Sequence, residues 1–202
     1  MMQNQTYVWN GTSYDSSNGL FIGASAGVYN TGAYSNGFGS KALYNNTGNY
    51  SNGFGYTALQ NNTGSHSNGF GHQALYSNTG SHSNGFGHQA LYSNTGGNSN
   101  GFGHQALYNN TGNYSNGFGF AALYSNTGEN SNGFGYNSLY KNTGAYSNGF
   151  GNNTLQYNQK SSNIAIGYGA QPLRPKKRKP LSEVVSYNGY RSDVQNKVKN
   201  TQ

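Results

Sequence analysis

The sequence contains no cysteine, which excludes a disulfide framework. Its three prolines all lie beyond residue 171. Charged residues make up 7%, with four acids in the whole chain: Asp15, Glu129, Glu183 and Asp193. No pair of these acids recurs at a useful spacing, and no Ser/His/Asp arrangement stands out. A conventional enzyme is therefore not expected, and no cofactor is implied. No stretch approaches the roughly 18 apolar residues of a membrane span, so membrane insertion is not expected. The start, Met1 to Trp9, lacks the basic and apolar regions of a signal peptide. If the protein works outside a cell, release by lysis within a virus particle would be one route. Hydrophobic residues reach only 32%, which by itself points to disorder. Disordered chains are poor in aromatics, however, and here 15% of residues are aromatic, including 19 Tyr and 10 Phe.

What the chain has instead is a repeat. Ser-Asn-Gly-Phe-Gly occurs eight times at a constant step of 16 residues, with its Phe at Phe38, Phe54, Phe70, Phe86, Phe102, Phe118, Phe134 and Phe150. Leucines keep the same step at Leu43, Leu59, Leu75, Leu91, Leu107, Leu123, Leu139 and Leu155. Asn-Thr-Gly follows it too. Degenerate copies at Leu20-Phe21-Ile22-Gly23 and Ile164-Ala165-Ile166-Gly167 extend the series to ten units over residues 17–171. A 16-residue period is too short for a helix-turn-helix repeat, which needs more than about 30. It suits one coil of an all-β parallel β-roll, or β-solenoid, with two short strands and two tight turns. The Gly and Asn of the two motifs are expected to supply the positive φ that tight turns need. Coils stacked about 4.7–4.8 Å apart would make a rod roughly 45–50 Å long.

In such a stack identical residues form ladders. The Phe and Leu series, with the small Ala series from Ala42 to Ala122, are the invariant apolar positions and are expected to point inward. So thin a roll buries little per coil, which favours parallel rods in a homo-oligomer, most simply a trimer. Residues 1–16, with Tyr7, Val8 and Trp9, are expected to cap one end.

Ser17 to Gly32, containing Leu20-Phe21-Ile22-Gly23 and Asn30-Thr31-Gly32, resembles the head repeats of trimeric autotransporter adhesins. So does Ser162-Asn163-Ile164-Ala165-Ile166-Gly167-Tyr168-Gly169-Ala170. Similar arrays occur in phage and viral fibre proteins. The resemblance covers about three quarters of the chain. It implies a left-handed β-roll, a homotrimer and a role in surface attachment. The eight central units depart from it, with Gly-Phe-Gly where the family more often has Ala-Ile-Gly. The absence of stalk heptads and membrane anchor favours a virion or phage fibre or spike over a bacterial surface adhesin.

Positions that vary inside a repeat are expected to face solvent. One such column runs Tyr34, Tyr50, His66, His82, Asn98, Tyr114, Asn130, Tyr146; another runs Ser40, Tyr56, His72, His88, His104, Phe120, Tyr136, Asn152. Together they hold all five histidines. His72, His88 and His104 invite a metal reading; the plainer one is a polar surface ladder, because no carboxylate or Cys supports a site. Exposed Tyr, Asn and Ser suit a host-surface glycan or protein receptor, since Tyr offers contact area at little entropy loss.

Residues 171–202 hold eight Lys/Arg against two acids, so six of the seven net positive charges sit there. Arg174, Lys176, Lys177, Arg178 and Lys179 form a basic linker over residues 172–180. It is expected to be extended, because each residue before a proline disfavours helix and like charges repel. Three uses compete: docking on an acidic protein of a larger particle, a nuclear-import signal, or a salt-dependent contact with nucleic acid or another polyanion. Residues 181–202 are expected to anchor or cap the other end.

Overall fold

The computed structural model describes residues 7–9, 12–15 and 19–171. The basic residues Arg174 to Lys179, the segment 181–202 and the remainder of 1–16 lie outside the described residues. Among the described residues all regular structure is β-strand, and the chain winds into a β-solenoid.

Its larger sheet contains ten parallel strands: β3 (Gly19–Ile22), eight Asn-Gly-Phe strands from Asn36–Phe38 to Asn148–Phe150, and Ile164–Ile166. Ten strands one coil apart correspond to about nine turns. Each pairs with the next at a 16-residue offset, Asn68 with Asn84, Gly69 with Gly85 and Phe70 with Phe86. A second ladder of five two-residue strands, from Asn61–Asn62 to Ser125–Asn126, runs along another side. At the N-terminal edge, β1 (Tyr7–Trp9) pairs antiparallel with β2 (Thr12–Asp15), and β2 pairs antiparallel with β3.

The interior corrects the expected core. All eight leucines, Leu43 to Leu155, are fully buried, as are Ala42, Ala58, Ala74, Ala90, Ala106 and Ala122. The phenylalanines are not core residues. Phe38, Phe54, Phe70, Phe86, Phe102 and Phe118 are half-buried, while Phe134 and Phe150 are exposed. The reason is space. In a three-residue strand the middle residue points opposite to its neighbours, and in Asn-Gly-Phe that residue is the buried glycine. A methyl group on Gly69 would already lie 3.0 Å from the Ala74 carbonyl oxygen and 3.2 Å from Leu59 Cγ. Nothing much larger than the Ala165 of the last strand fits inside, so the ring goes outside. Phe21 shows the same rule at the open end: it pairs with Gly37, not Phe38, and its buried ring fills the interior over that glycine.

Beside the leucines runs a polar spine. Asn46, Asn62, Asn78, Asn94, Asn110, Asn126 and Asn142 are fully buried. Asn94 Nδ2 donates to Asn78 Oδ1 at 2.8 Å, to Ser83 Oγ at 3.1 Å and to the Gly96 carbonyl at 2.9 Å. Its Oδ1 accepts from Asn110 Nδ2 at 2.9 Å. The spine satisfies buried amides coil after coil, as an interior requires.

The turns also differ from expectation. The glycines of Asn-Thr-Gly have no positive φ; they are needed because coils approach too closely for a side chain. A methyl group on Gly96 would meet the Gly112 carbonyl oxygen at 2.2 Å. Positive φ falls instead on the Gly after each Phe and on non-glycine residues such as His66 (57°), Gln73 (56°) and Leu75 (53°). Left-handed backbone costs such residues about 1–2 kcal/mol each. Inter-coil hydrogen bonding offsets this: Gln73 N–H donates to the Tyr56 carbonyl and Leu75 N–H to the Ala90 carbonyl, both at 2.9 Å.

Candidate functional site

The surface is organised as parallel columns, because every outward position repeats once per coil. On the outer face of the larger sheet an asparagine ladder from Asn36 to Asn148 is linked amide to amide, as in Asn84 Nδ2 to Asn100 Oδ1 at 2.8 Å. Two residues along each strand lies the phenylalanine ladder. Its rings stack with centroids 4.7–5.1 Å apart and planes within 6°. In register with it are Ile22 at one end and Ile166 at the other, both exposed. The outcome is one continuous apolar stripe along the rod.

The corner after this face carries the column Tyr56, His72, His88, His104, Phe120 and Tyr136, all exposed. Six rings stack without a break at 4.8–5.1 Å. A second column, Tyr76, Tyr92, Tyr108, Tyr124 and Tyr140, is half-buried and stacks at 4.9–5.2 Å. Between the two in sequence lie Gln73, Gln89 and Gln105, whose side-chain amides are joined head to tail at 2.8 and 2.9 Å. The opposite corner carries Tyr34, Tyr50, His66, His82, Tyr114 and Tyr146, also exposed. Tyr34, Tyr50, His66 and His82 stack at 4.8–5.0 Å.

Stacking shapes the electrostatics. Desolvation pushes the His88 imidazole below its ordinary range, and the adjacent His104 and His72 push the same way. Desolvation, with Tyr92 and Tyr124 adding to it, raises the Tyr108 phenol. A hydrogen bond with Tyr29 is the main cause of a raised Tyr44. As stacked, His72, His88 and His104 are a poor metal site. Ligand nitrogens sit about 2.0–2.1 Å from zinc, whereas these rings lie 4.9 Å apart, centroid to centroid. Among the described residues no group of three or more His, Cys, Asp or Glu is placed to hold a metal ion.

Sequence reasoning placed the Tyr and His columns on the surface, where the structure has them. It assigned the phenylalanines inward and so missed the apolar stripe. The Ile164-Ala165-Ile166 unit carried the signal, since a small residue between two large ones shows which position faces the narrow interior. No protein-family model and no curated protein sequence matches the chain.

Proposed function

We propose that this protein is a non-enzymatic structural and adhesive rod, a fibre or spike element of a virion or phage particle used in host attachment or particle assembly. The observation that supports this reading best is the unbroken outward stripe of stacked phenylalanines along a rigid solenoid. Monomeric soluble proteins rarely expose long contiguous apolar surfaces, and those that do mark interaction sites. In this reading three parallel copies bring their stripes together, so that identical coils meet at identical heights. Three is the number the family resemblance implies. The aromatic columns at the corners then face outward as contact surfaces for a receptor. The basic residues Arg174, Lys176, Lys177, Arg178 and Lys179 add a charge-based contact to an acidic protein of the particle.

A second reading is supported by the charge of that segment alone: contact with nucleic acid or another polyanion. Retention of purified full-length protein on cell surfaces separates the two. At about 0.5 M salt the Debye length falls to about 4 Å. An attachment rod acting through uncharged aromatic columns stays bound. A polyanion contact is released, and salt-released binding to nucleic acid as well as cells would overturn the rod reading.

A further inference from the structure

The two aromatic columns of one corner end at the same height. In the first, Tyr136 is followed one coil later by Asn152; in the second, Tyr140 is followed by Gln156. The rings splay as they approach this end. Along the middle of the columns neighbouring planes differ by 3–5°, and the first column also opens to 17° at its other end, Tyr56–His72. The difference grows to 10° at Phe120–Tyr136 and 18° at Tyr124–Tyr140. Beyond Tyr140 the next ring, Tyr157, meets it edge-on, at 77° and 5.9 Å. The amide ladder between the columns breaks two coils earlier. Position 121 is Ala where three preceding coils have Gln73, Gln89 and Gln105. Gln105 Oε1, which would accept from a further glutamine, has no donor among the described residues.

An open groove of about 410 Å³ spans these coils. Phe120 and Tyr136 line one side and Tyr124 and Tyr140 the other, with Ala121 between them. Amides stand along it at Gln105, Asn137 and Gln156. Asn137 makes no side-chain hydrogen bond among the described residues. Gln156 Nε2 is held by Asn153 Oδ1 at 2.8 Å, which leaves its oxygen as an acceptor. Ligand sites are typically concave, of about 300–1,000 Å³, with aromatic walls and a few converging polar groups. The groove has that composition, and every side chain lining it is uncharged. The neighbouring cation, Lys141 Nζ, lies over the Tyr140 and Tyr157 rings, 5.7 and 5.9 Å from their centroids.

We propose that this groove binds an uncharged pyranose unit of a glycan. A pyranose has an apolar C–H face suited to a tyrosine ring and equatorial hydroxyls that both donate and accept. Primary amides offer the matching donors and acceptors, and Tyr presents a rigid ring with a polar tip. The groove opens on the corner of the coil rather than on the Asn–Phe face, so joining copies through the phenylalanine stripe leaves it available. The inference rests on the attachment reading and names the ligand class for it.

Substitutions borrowed from other coils test it with little risk to folding. Ala121→Gln extends the glutamine ladder into the groove. Tyr140→Gln installs the residue found in that column at Gln60 and Gln156. Asn49→Ser, at an exposed position outside the aromatic columns, copies Ser65 and Ser81 and serves as the control. Saturation-transfer NMR and calorimetric titration of the full-length protein with methyl hexopyranosides, N-acetylhexosamines and sialic acid provide the readout. Saturable binding of an uncharged pyranoside is expected, weakened at least tenfold by Ala121→Gln and by Tyr140→Gln and unchanged by Asn49→Ser. No binding of any sugar, binding unaffected by both groove variants, or preference for sialic acid overturns the proposal. Cell retention is measured on the same proteins. Wild-type protein retained on cells without binding sugar overturns the groove while leaving attachment standing. Sugar binding without cell retention supports the groove and removes the attachment reading.

Discussion

Asn94 is the most informative residue to remove, because the buried asparagine spine has no counterpart in an ordinary apolar core. Replacing it with Ala deletes donors to Asn78 Oδ1, Ser83 Oγ and the Gly96 carbonyl, and an acceptor for Asn110 Nδ2. These losses are unequal. Asn110 keeps Ser99 and Gly112 as acceptors, and the Gly96 carbonyl keeps a 3.4 Å contact from Ser83 Oγ. Asn78 Oδ1 loses its donor from the next coil. One orphaned buried acceptor costs about 1–3 kcal/mol, and each other net hydrogen bond about 0.5–1.5 kcal/mol. Together with the space left behind, Asn94→Ala is expected to destabilise by about 3–6 kcal/mol, a large part of the 5–15 kcal/mol typical of a domain. Asn94→Asp should be at least as harmful at pH 7, since a carboxylate cannot donate to the three oxygens that Asn94 Nδ2 serves. The matched control is Asn109→Asp, the same chemical change at an exposed position, expected to stay within about 0.5 kcal/mol. Urea titration followed by circular dichroism measures all three. If Asn94→Asp and Asn109→Asp proved equally mild at pH 7, the spine would carry no structural weight.

Other perturbations follow from single positions. Thr57 stands where later coils have glutamine. Its buried hydroxyl has no partner among the described residues, and it sits at φ 50°, a conformation that β-branched residues resist. Thr57→Gln should therefore raise stability by about 1–2 kcal/mol, by completing a hydrogen bond to Gln73 and relieving the orphan, read as a higher melting temperature. Gly96 and Gly97 are adjacent but opposite in consequence. Gly96→Ala drives a methyl into the next coil's backbone at 2.2 Å, whereas the nearest atom to a methyl on Gly97 is 3.5 Å away. Thermal melts should show loss of cooperative folding for Gly96→Ala. Gly97→Ala should gain about 0.4–1 kcal/mol through a less flexible unfolded chain. His88 predicts a pH effect. Its folded-state pKa is lowered, so its stabilising contribution is complete above the unfolded value of about 6.5. That contribution falls as pH drops from there through the folded value, because the unfolded chain takes up the proton first. Melting temperature should fall between pH 7.5 and 5, and less so in His88→Tyr, which keeps the stack; a flat profile in the wild type would contradict this.

Much of the architecture was legible because a strict period leaves few choices. A 16-residue step without insertions, Pro-free from residue 17 to 171, reads as stacked coils, and variation within the repeat marks the outer columns. What was not legible is the phase of each strand. In Asn-Gly-Phe both apolar candidates, Gly and Phe, are invariant, and hydrophobicity alone sends Phe inward. Only the coil's width, set by backbone spacing, reverses that. Asn78 and its equivalents read as turn residues because Asn-Thr-Gly is a common turn signal. Yet Asn158 persists where Thr and Gly give way to Gln159 and Lys160, which marks the asparagine as the essential member. The groove had its components in plain view, in Ala121, Asn152 and Gln156. That they fall within two coils of one another becomes visible only when the columns are laid side by side.

In the proposed assembly the outward phenylalanine stripe joins copies of this rod. Native mass by light scattering tests it most directly, on the full-length protein and on a variant with Phe86, Phe102 and Phe118 changed to Ser. The expected result is a mass near three chains, about 65 kDa for a 21.6 kDa chain, and a folded monomer when the stripe is interrupted. A wild-type monomer with an intact β-sheet spectrum would contradict it, as would a trimer indifferent to all three substitutions.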